Sequence, residues 1–302
     1  MRSLLTGYIK LVRPKQWLKN SFVLAPLIFG KELFIPHQAM LAIIAFTGFC
    51  LTASAVYILN DIVDVRADRA HPEKRNRPIA AGVISTTQAV TLLVLVIAAA
   101  GSLALLTPLR FGLVLAAYFL MNLAYSFRLK EVVLLDVFVI AAGFMLRVMG
   151  GAIAIGVPVS SWLVLCTMFI SLFLGFGKRR GEIVLSQEIG QASGRRVLQL
   201  YRVDFLDHML TITAAGTMIA YALYTVSPRT IEVFGTDKMI YTTVFVIYGV
   251  FRYLYLVHMS QQSENPTNAV TSDAPILLTG VLWICTCALL IYSGSHTAGG
   301  VP

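Results

Sequence analysis

Long apolar runs broken by short polar segments set the pattern of this chain. Stretches long enough to cross a bilayer occur at about 20–36, 41–59, 86–106, 109–127, 132–155, 160–176, 208–227, 239–257 and 275–293. Some 20 apolar residues in helix span the hydrocarbon core, so these nine stretches predict nine transmembrane helices. The first is interrupted by Pro26 and Gly30. Ahead of it, Leu4, Leu5, Tyr8, Ile9, Leu11 and Val12 recur at helical spacing alongside Lys10 and Arg13. This predicts a short helix over about 3–13, lying on the membrane surface and ending at Pro14.

Composition narrows the class. The 302 residues are 57% apolar and 13% charged, with a mean hydropathy of +0.77. Soluble domains run near 45–50% apolar and about 25% charged. A soluble enzyme, a disordered tail and a secreted disulfide scaffold are excluded, leaving one integral all-α membrane domain over 1–302. Cys50, Cys166, Cys285 and Cys287 match no disulfide or metal framework, and we read them as small buried apolar residues. No signal peptide is expected, because five Lys/Arg and a proline fill the first 19 residues.

Charge orients the helices. The N-terminus, the loops near 60–85, 128–131, 178–207 and 258–274 together hold 18 Lys/Arg, and the opposite side holds 4. The positive-inside rule then places the N-terminus in the cytoplasm and the protein in the cell's inner (plasma) membrane. The net charge of +9 is thereby explained without a nucleic-acid partner. Arg147 and Arg252 fall within predicted spans. Arg252 is expected to snorkel toward the cytoplasm. For Arg147, helix carbonyls and a lipid phosphate are equally good partners. Asp136, one turn into its span, is a second ionisable group at a depth where charge usually marks function.

The most informative segment follows the second span. Asn60-Asp61-Ile62-Val63-Asp64-Val65-Arg66-Ala67-Asp68, if helical, puts Asp61, Asp64 and Asp68 on one face. Three such carboxylates repel one another and call for protons, basic partners or a divalent cation. An all-oxygen site at a polar boundary suits Mg²⁺, which completes its shell from waters and substrate phosphates. The plainer alternative is a solvated helix end neutralised by Arg66 and Arg69. Directly downstream, Lys74, Arg75 and Arg77 sit in a segment that ends Arg77-Pro78-Ile79-Ala80-Ala81-Gly82. A phosphate-bearing ligand between these acids and bases would satisfy both.

This Asn-Asp-x-x-Asp-x-x-x-Asp pattern, followed by the basic segment, resembles the UbiA superfamily of intramembrane prenyltransferases over nearly the whole chain. The resemblance implies a nine-transmembrane-helix bundle with a central cavity, a cytoplasmic cap of loops, and acids that bind Mg²⁺ and a diphosphate. Members that prenylate aromatic acceptors carry a second acidic motif after the sixth span. Here that loop reads Lys178-Arg179-Arg180-Gly181-Glu182, and Asp204 and Asp207 lie at a different spacing. Together with Arg13-Pro14-Lys15-Gln16-Trp17-Leu18-Lys19-Asn20 and Tyr125…Lys130, this resembles the decaprenyl-phosphate phosphoribosyltransferase branch. The resemblance implies a phosphoribosyl diphosphate donor and a polyprenyl phosphate acceptor.

Under that reading Asp61, Asp64 and Asp68 are the catalytic and metal-holding residues. Gln16, Lys19, Asn60, Lys74, Arg75, Arg77, Tyr125, Lys130, Lys178, Arg179 and Glu182 are the substrate-binding candidates. A lipid phosphate is already largely ionised at neutral pH, so no strong general base is needed. The five histidines show no pairing. Two other readings stay open at this point: an aromatic or quinone-precursor prenyltransferase using prenyl diphosphate, and a transporter of anionic lipids. A homo-oligomer is compatible with all three.

Overall fold

The computed structural model describes residues 2–70, 74–188, 196–259 and 272–293. All regular structure among them is helical. The helices are α1 (Arg2–Val12), α2 (Ala25–Phe29), α3 (Pro36–Val63), α4 (Val65–Ala70), α5 (Thr86–Ala104), α6 (Leu109–Phe127), α7 (Leu135–Ile155), α8 (Ser161–Glu188), α9 (Val203–Val226), α10 (Pro228–Phe234), α11 (Thr243–Met259) and α12 (Ala274–Ser293). Eight helices among the described residues are long and apolar enough to cross a membrane. The first expected span, 20–36, takes another form. Pro14–Leu24 winds as a 3₁₀ helix and the five-residue α2 follows. Pro14 and Pro26 withhold two backbone donors in this stretch, which a long α-helix needs.

Local chemistry sets several boundaries. α3 has Pro36 in its first turn, where no N–H is required. α5 opens with a capping box: Ser85 Oγ accepts from the Gln88 N–H at 3.2 Å, and Gln88 Oε1 accepts from the Ser85 N–H at 3.0 Å. The surface helix ends at Val12, just before Pro14, with Leu11 buried and Leu5 and Ile9 exposed.

Contacts divide the chain into two compact units: Met1–Phe127 with Leu146–Pro158, and Arg128–Met145 with Val159–Pro302. The first unit has an aromatic centre. Phe49 meets Phe111 and Tyr118 edge-on, at centroid distances of 6.0 and 5.4 Å. Glycine lets the second half of α7 approach closely. A Cβ on Gly151 would stand 2.0 Å from the Val23 carbonyl oxygen, and one on Gly150 would stand 2.5 Å from the Phe49 ring. Small residues admit such backbone contact where lipid supplies no hydrophobic drive between helices. A second cluster, Leu11, Ile58, Ile79, Ile84 and Ala89, joins α1, the end of α3, the loop at 77–84 and the start of α5. The second unit packs mainly α8 on α9, around Phe173, Phe176, Leu206, Leu210, Val250 and Tyr253.

Cys50 and Cys287 are buried as expected, Cys166 is half-buried, and Cys285 lies on the exposed side of α12. A cysteine is apolar enough to face lipid, so its type alone does not say which side of a span it takes.

Candidate functional site

Asp61 sits in the last turn of α3 and Asp68 in α4. The two helices are nearly continuous through Asp64, whose N–H donates to the Asn60 carbonyl at 2.9 Å and whose own carbonyl accepts from the Asp68 N–H at 2.8 Å. Asp61 and Asp68 are buried, with relative exposures of 2% and 3%, whereas Asp64 is exposed. The expected trio is therefore a pair facing inward and one acid facing outward.

The pair is neutralised by arginines from distant segments. Arg77 Nη1 donates to Asp61 Oδ1 at 3.1 Å and to Asp68 Oδ2 at 2.8 Å. Arg13 Nη2 donates to Asp61 Oδ1 at 2.7 Å, and its guanidinium lies 4.8 Å over the Tyr57 ring. Arg66 and Arg69, the local candidates, do not take this role. Arg66 is exposed, and Arg69 Nε donates to the Ala80 carbonyl at 3.3 Å.

The fold explains how the arginines arrive. Ile79 and Ile84 are anchored in the cluster that holds Leu11 and Ile58, so Arg77, two residues before Ile79, is delivered to the end of α3. Arg13 follows Leu11 by two residues and adopts a left-handed backbone, φ 56° and ψ 59°. Such a conformation costs a non-glycine residue of order 1–3 kcal/mol and persists only where the surroundings hold it. Three contacts do so here. Ser54 Oγ donates to the Val12 carbonyl at 2.8 Å, Trp17 Nε1 donates to Ser54 Oγ at 3.0 Å, and Asn20 is buried against Cys50 and Arg147.

The donor set fits a divalent cation. Two buried carboxylate oxygens converge on one point, held here by a guanidinium nitrogen. Hard oxygen ligands of this kind suit Mg²⁺, which needs only one or two carboxylates when substrate phosphates complete its shell. Among the described residues no group of three or more His, Cys, Asp or Glu is close enough to form a metal cage by itself.

Gln16 and Lys19 lie half-buried in the 3₁₀ stretch, Asn60 is half-buried in α3, and Lys74 and Arg75 are exposed in the turn Lys74–Asn76. Tyr125 is half-buried in the last turn of α6.

In the second unit, Arg179 is fully buried in α8. Its guanidinium lies 2.5 Å from both Asp136 Oδ2 and Glu182 Oε2. The expected phosphate ligand Arg179 is thus directed at two carboxylates inside the protein. Lys178 is partly exposed, with Nζ 3.8 Å from Glu182 Oε1. Tyr201 completes the group: its hydroxyl donates to Asp136 Oδ1 at 2.7 Å and accepts from the Leu134 N–H at 2.6 Å. Burial, and after it the hydrogen bond to Asp136, push the Tyr201 phenol above its usual range. Lys130 is half-buried in the turn Leu129–Glu131.

The other two charges inside spans have specific partners. Arg147 donates to Asn20 Oδ1 and to the Tyr118 hydroxyl, both at 2.7 Å, and lies 4.7 Å over the Tyr118 ring. These two neutral side chains are partners that the sequence did not suggest. Arg252 is held by a two-nitrogen contact with Asp273, at 3.2 and 2.9 Å, rather than reaching out alone.

Residues 23–270 match the UbiA prenyltransferase family. The chain belongs to that family. Among relatives, it is 34% identical to the decaprenyl-phosphate phosphoribosyltransferase of Mycolicibacterium smegmatis, over 96% of this chain and 94% of that one. It is 35% identical to the enzyme of the same name from Mycobacterium tuberculosis H37Rv, over 97% and 96%. A UbiA homologue from Archaeoglobus fulgidus, solved with DMAPP and Mg²⁺, shares the fold with a TM-score of 0.69 at 18% identity, covering 94% of this chain and 99% of that one. The UbiA-like all-helical membrane fold expected from sequence is thus present, and this is a multi-pass membrane protein.

Sequence reading found Asp61, Asp68 and Arg77 as neighbours. It missed Arg13 as a partner of Asp61, Asp136 as a partner of Arg179, Tyr201 as a partner of Asp136, and Asn20 and Tyr118 as partners of Arg147. Arg13 stands within the quoted Arg-Pro-Lys-Gln-Trp segment, which was its one signal. The other pairs lie from 29 to 127 residues apart, beyond the reach of spacing arguments.

Proposed function

We propose that this protein transfers the 5-phosphoribosyl group from phosphoribosyl diphosphate to a polyprenyl phosphate. In the step, an oxygen of the lipid phosphate supplies the electron pair for the new bond to the ribose C1. The bond from C1 to the diphosphate breaks with its pair leaving on diphosphate. The products are polyprenyl-phosphoryl-5-phosphoribose and diphosphate. The reaction centre acquires oxocarbenium character, as in other substitutions at an anomeric carbon.

One observation carries the reading: Asp61 and Asp68 aim buried oxygens at a single cationic point at the end of α3. Mg²⁺ bound there would stabilise the charge gathering on the departing diphosphate. Asp61 and Asp68 would hold it, with exposed Asp64 as a further ligand from the same chain turn. Arg77, displaced from the carboxylates, stays within reach of the phosphates it would then clamp. Asn60, Gln16, Lys19, Lys74, Arg75, Tyr125, Lys130 and Lys178 are further proposed contacts for phosphate groups. Arg179 is assigned a different part: held by Asp136 and Glu182, it fixes the helix turn that presents Lys178. The near-full-length likeness to two phosphoribosyltransferases supports the choice of donor. So does the sequence at 178–182, basic where a second acidic motif would serve prenyl transfer to an aromatic ring. We place the site on the cytoplasmic face of the inner membrane, following the Lys/Arg bias.

The test incubates purified protein with labelled phosphoribosyl diphosphate, Mg²⁺ and polyprenyl phosphate. Label should enter the lipid fraction, stop on chelation by EDTA, and be nearly lost in Asp64→Asn. Consumption of prenyl diphosphate with no labelled lipid would reject the proposal in favour of prenyl transfer. Lipid movement that persists in Asp64→Asn, with no product, would reject it in favour of transport.

A further inference from the structure

Beside the carboxylate pair lies an open cleft of about 300 Å³, lined by Lys10, Arg13, Asn76, Arg77 and Pro78 together with Asp61. Two chain segments build it: the end of α1 with the residue after it, and the turn before the anchored loop at 77–84. Neutralising Asp61 and Asp68 does not account for its charge, since the three cations Lys10, Arg13 and Arg77 outnumber the two carboxylates. Arg13 reaches Asp61 through Nη2 alone, and Arg77 reaches both acids through Nη1 alone. A guanidinium carries N–H donors on all three nitrogens, so each arginine has donors to spare for a ligand. Both side chains keep about a quarter of their surface open, 27% and 28%. Lys10 is exposed, and Asn76 adds an amide. Moreover, position 13 has a backbone conformation that glycine would adopt without strain, yet an arginine occupies it.

We propose that this cleft binds a phosphate monoester, held by Lys10, Arg13, Asn76 and Arg77, and that Arg13 selects for it. A monoester carries about −1.5 to −2 charges near neutral pH and three strong acceptor oxygens, which matches a cleft of three cations and an amide. The inference rests on the proposed transfer reaction, in which two substrates carry such a group: the donor at its ribose C5, and the acceptor at its lipid head. In the donor the ribose separates the C5 phosphate from the diphosphate on C1. An enzyme for it needs polar and cationic groups beside the metal-holding acids in addition to those that meet the diphosphate; Lys10, Arg13 and Asn76 supply them, while Asp61 and Arg77 border both. A prenyl diphosphate has no second anionic group and gains nothing there.

The experiment compares wild type with Lys10→Ala and Arg13→Gly, the latter removing the charge while relaxing the backbone. Three quantities are read: inhibition by ribose 5-phosphate, inhibition by inorganic diphosphate with Mg²⁺, and KM for each substrate. Losing a charge-assisted contact should weaken ribose 5-phosphate at least about tenfold, while diphosphate changes by less than about twofold. A matching rise in donor KM assigns the cleft to the C5 phosphate. A rise confined to the polyprenyl phosphate KM, with ribose 5-phosphate inert, assigns it to the lipid head. Equal weakening of diphosphate, or no change in any of these, overturns the proposal and leaves Arg13 and Arg77 as partners of Asp61 and Asp68 only. If Arg13→Gly does not fold, Arg13→Lys combined with Lys10→Ala gives the same comparison. If the wild type does not use phosphoribosyl diphosphate at all, the transfer reading fails by itself. Direct binding of inorganic phosphate then decides the cleft: weaker binding in Lys10→Ala upholds it, and unchanged binding refutes it.

Discussion

Asp61 and Asp68 stand seven residues apart and share one nitrogen of Arg77. That shared atom makes the two acids a unit, so either substitution should disable the same step. Asp61→Asn and Asp68→Asn are each expected to lower turnover by about 10²–10³-fold, the scale of losing a principal electrostatic stabiliser. The double variant should be little worse than either single one, because both act on one cation. Single-turnover assays at saturating substrate check this, and simple multiplication of the two losses would break the assignment. Neither change removes bulk, and Arg13 and Arg77 are each partly exposed, so a folded protein is expected. The pair was legible in the sequence because helix periodicity fixes neighbours within two turns. Asp64 is less determined by periodicity, because it sits at the joint between α3 and α4, and its side chain is exposed.

Two elements are held by contacts that no local pattern announces. The turn before α7 depends on Tyr201, whose hydroxyl joins the Leu134 N–H to Asp136 while Leu134 adopts φ 66°. Tyr201→Phe strands a buried acceptor and a backbone donor, and should cost about 1–3 kcal/mol. The check is thermal unfolding of the purified protein in detergent, where an unchanged Tm would dismiss the contact. The second half of α7 depends on Gly151 against the Val23 carbonyl. Gly151→Ala forces the 3₁₀ stretch away by more than a side-chain adjustment, and overpacking of this kind costs at least about 1–3 kcal/mol. Since that stretch also carries Asn20 and follows Arg13, activity should fall together with Tm. Full activity at an unchanged Tm would show that the stretch moves aside without consequence. The sequence marked this segment as a weak span through Pro26 and Gly30, but its 3₁₀ form follows from the proline positions and from what it packs against.

For the molecule as a whole, charge asymmetry predicts the orientation. Lys74 and Arg75 belong to the basic side, and Arg229 and Lys238 to the opposite one. In a variant lacking the four native cysteines, Lys74→Cys should react with an impermeant thiol reagent only in inverted vesicles, and Arg229→Cys only in right-side-out ones. The reverse pattern would turn the protein over and move the proposed site to the other face of the membrane.

The sequence by itself determined the class, the family resemblance and the acidic end of α3. Hydropathy, charge bias and short-range spacing are local quantities, and a bilayer leaves helices almost the only option for a single chain of this composition. Only the tertiary structure decided which partner each buried charge meets. Arg13 is 48 residues from Asp61, Asn20 is 127 from Arg147, and Tyr201 is 65 from Asp136. A buried charge must find its partner wherever packing brings one near, and that proximity is a property of the assembled helices that no window along the chain contains.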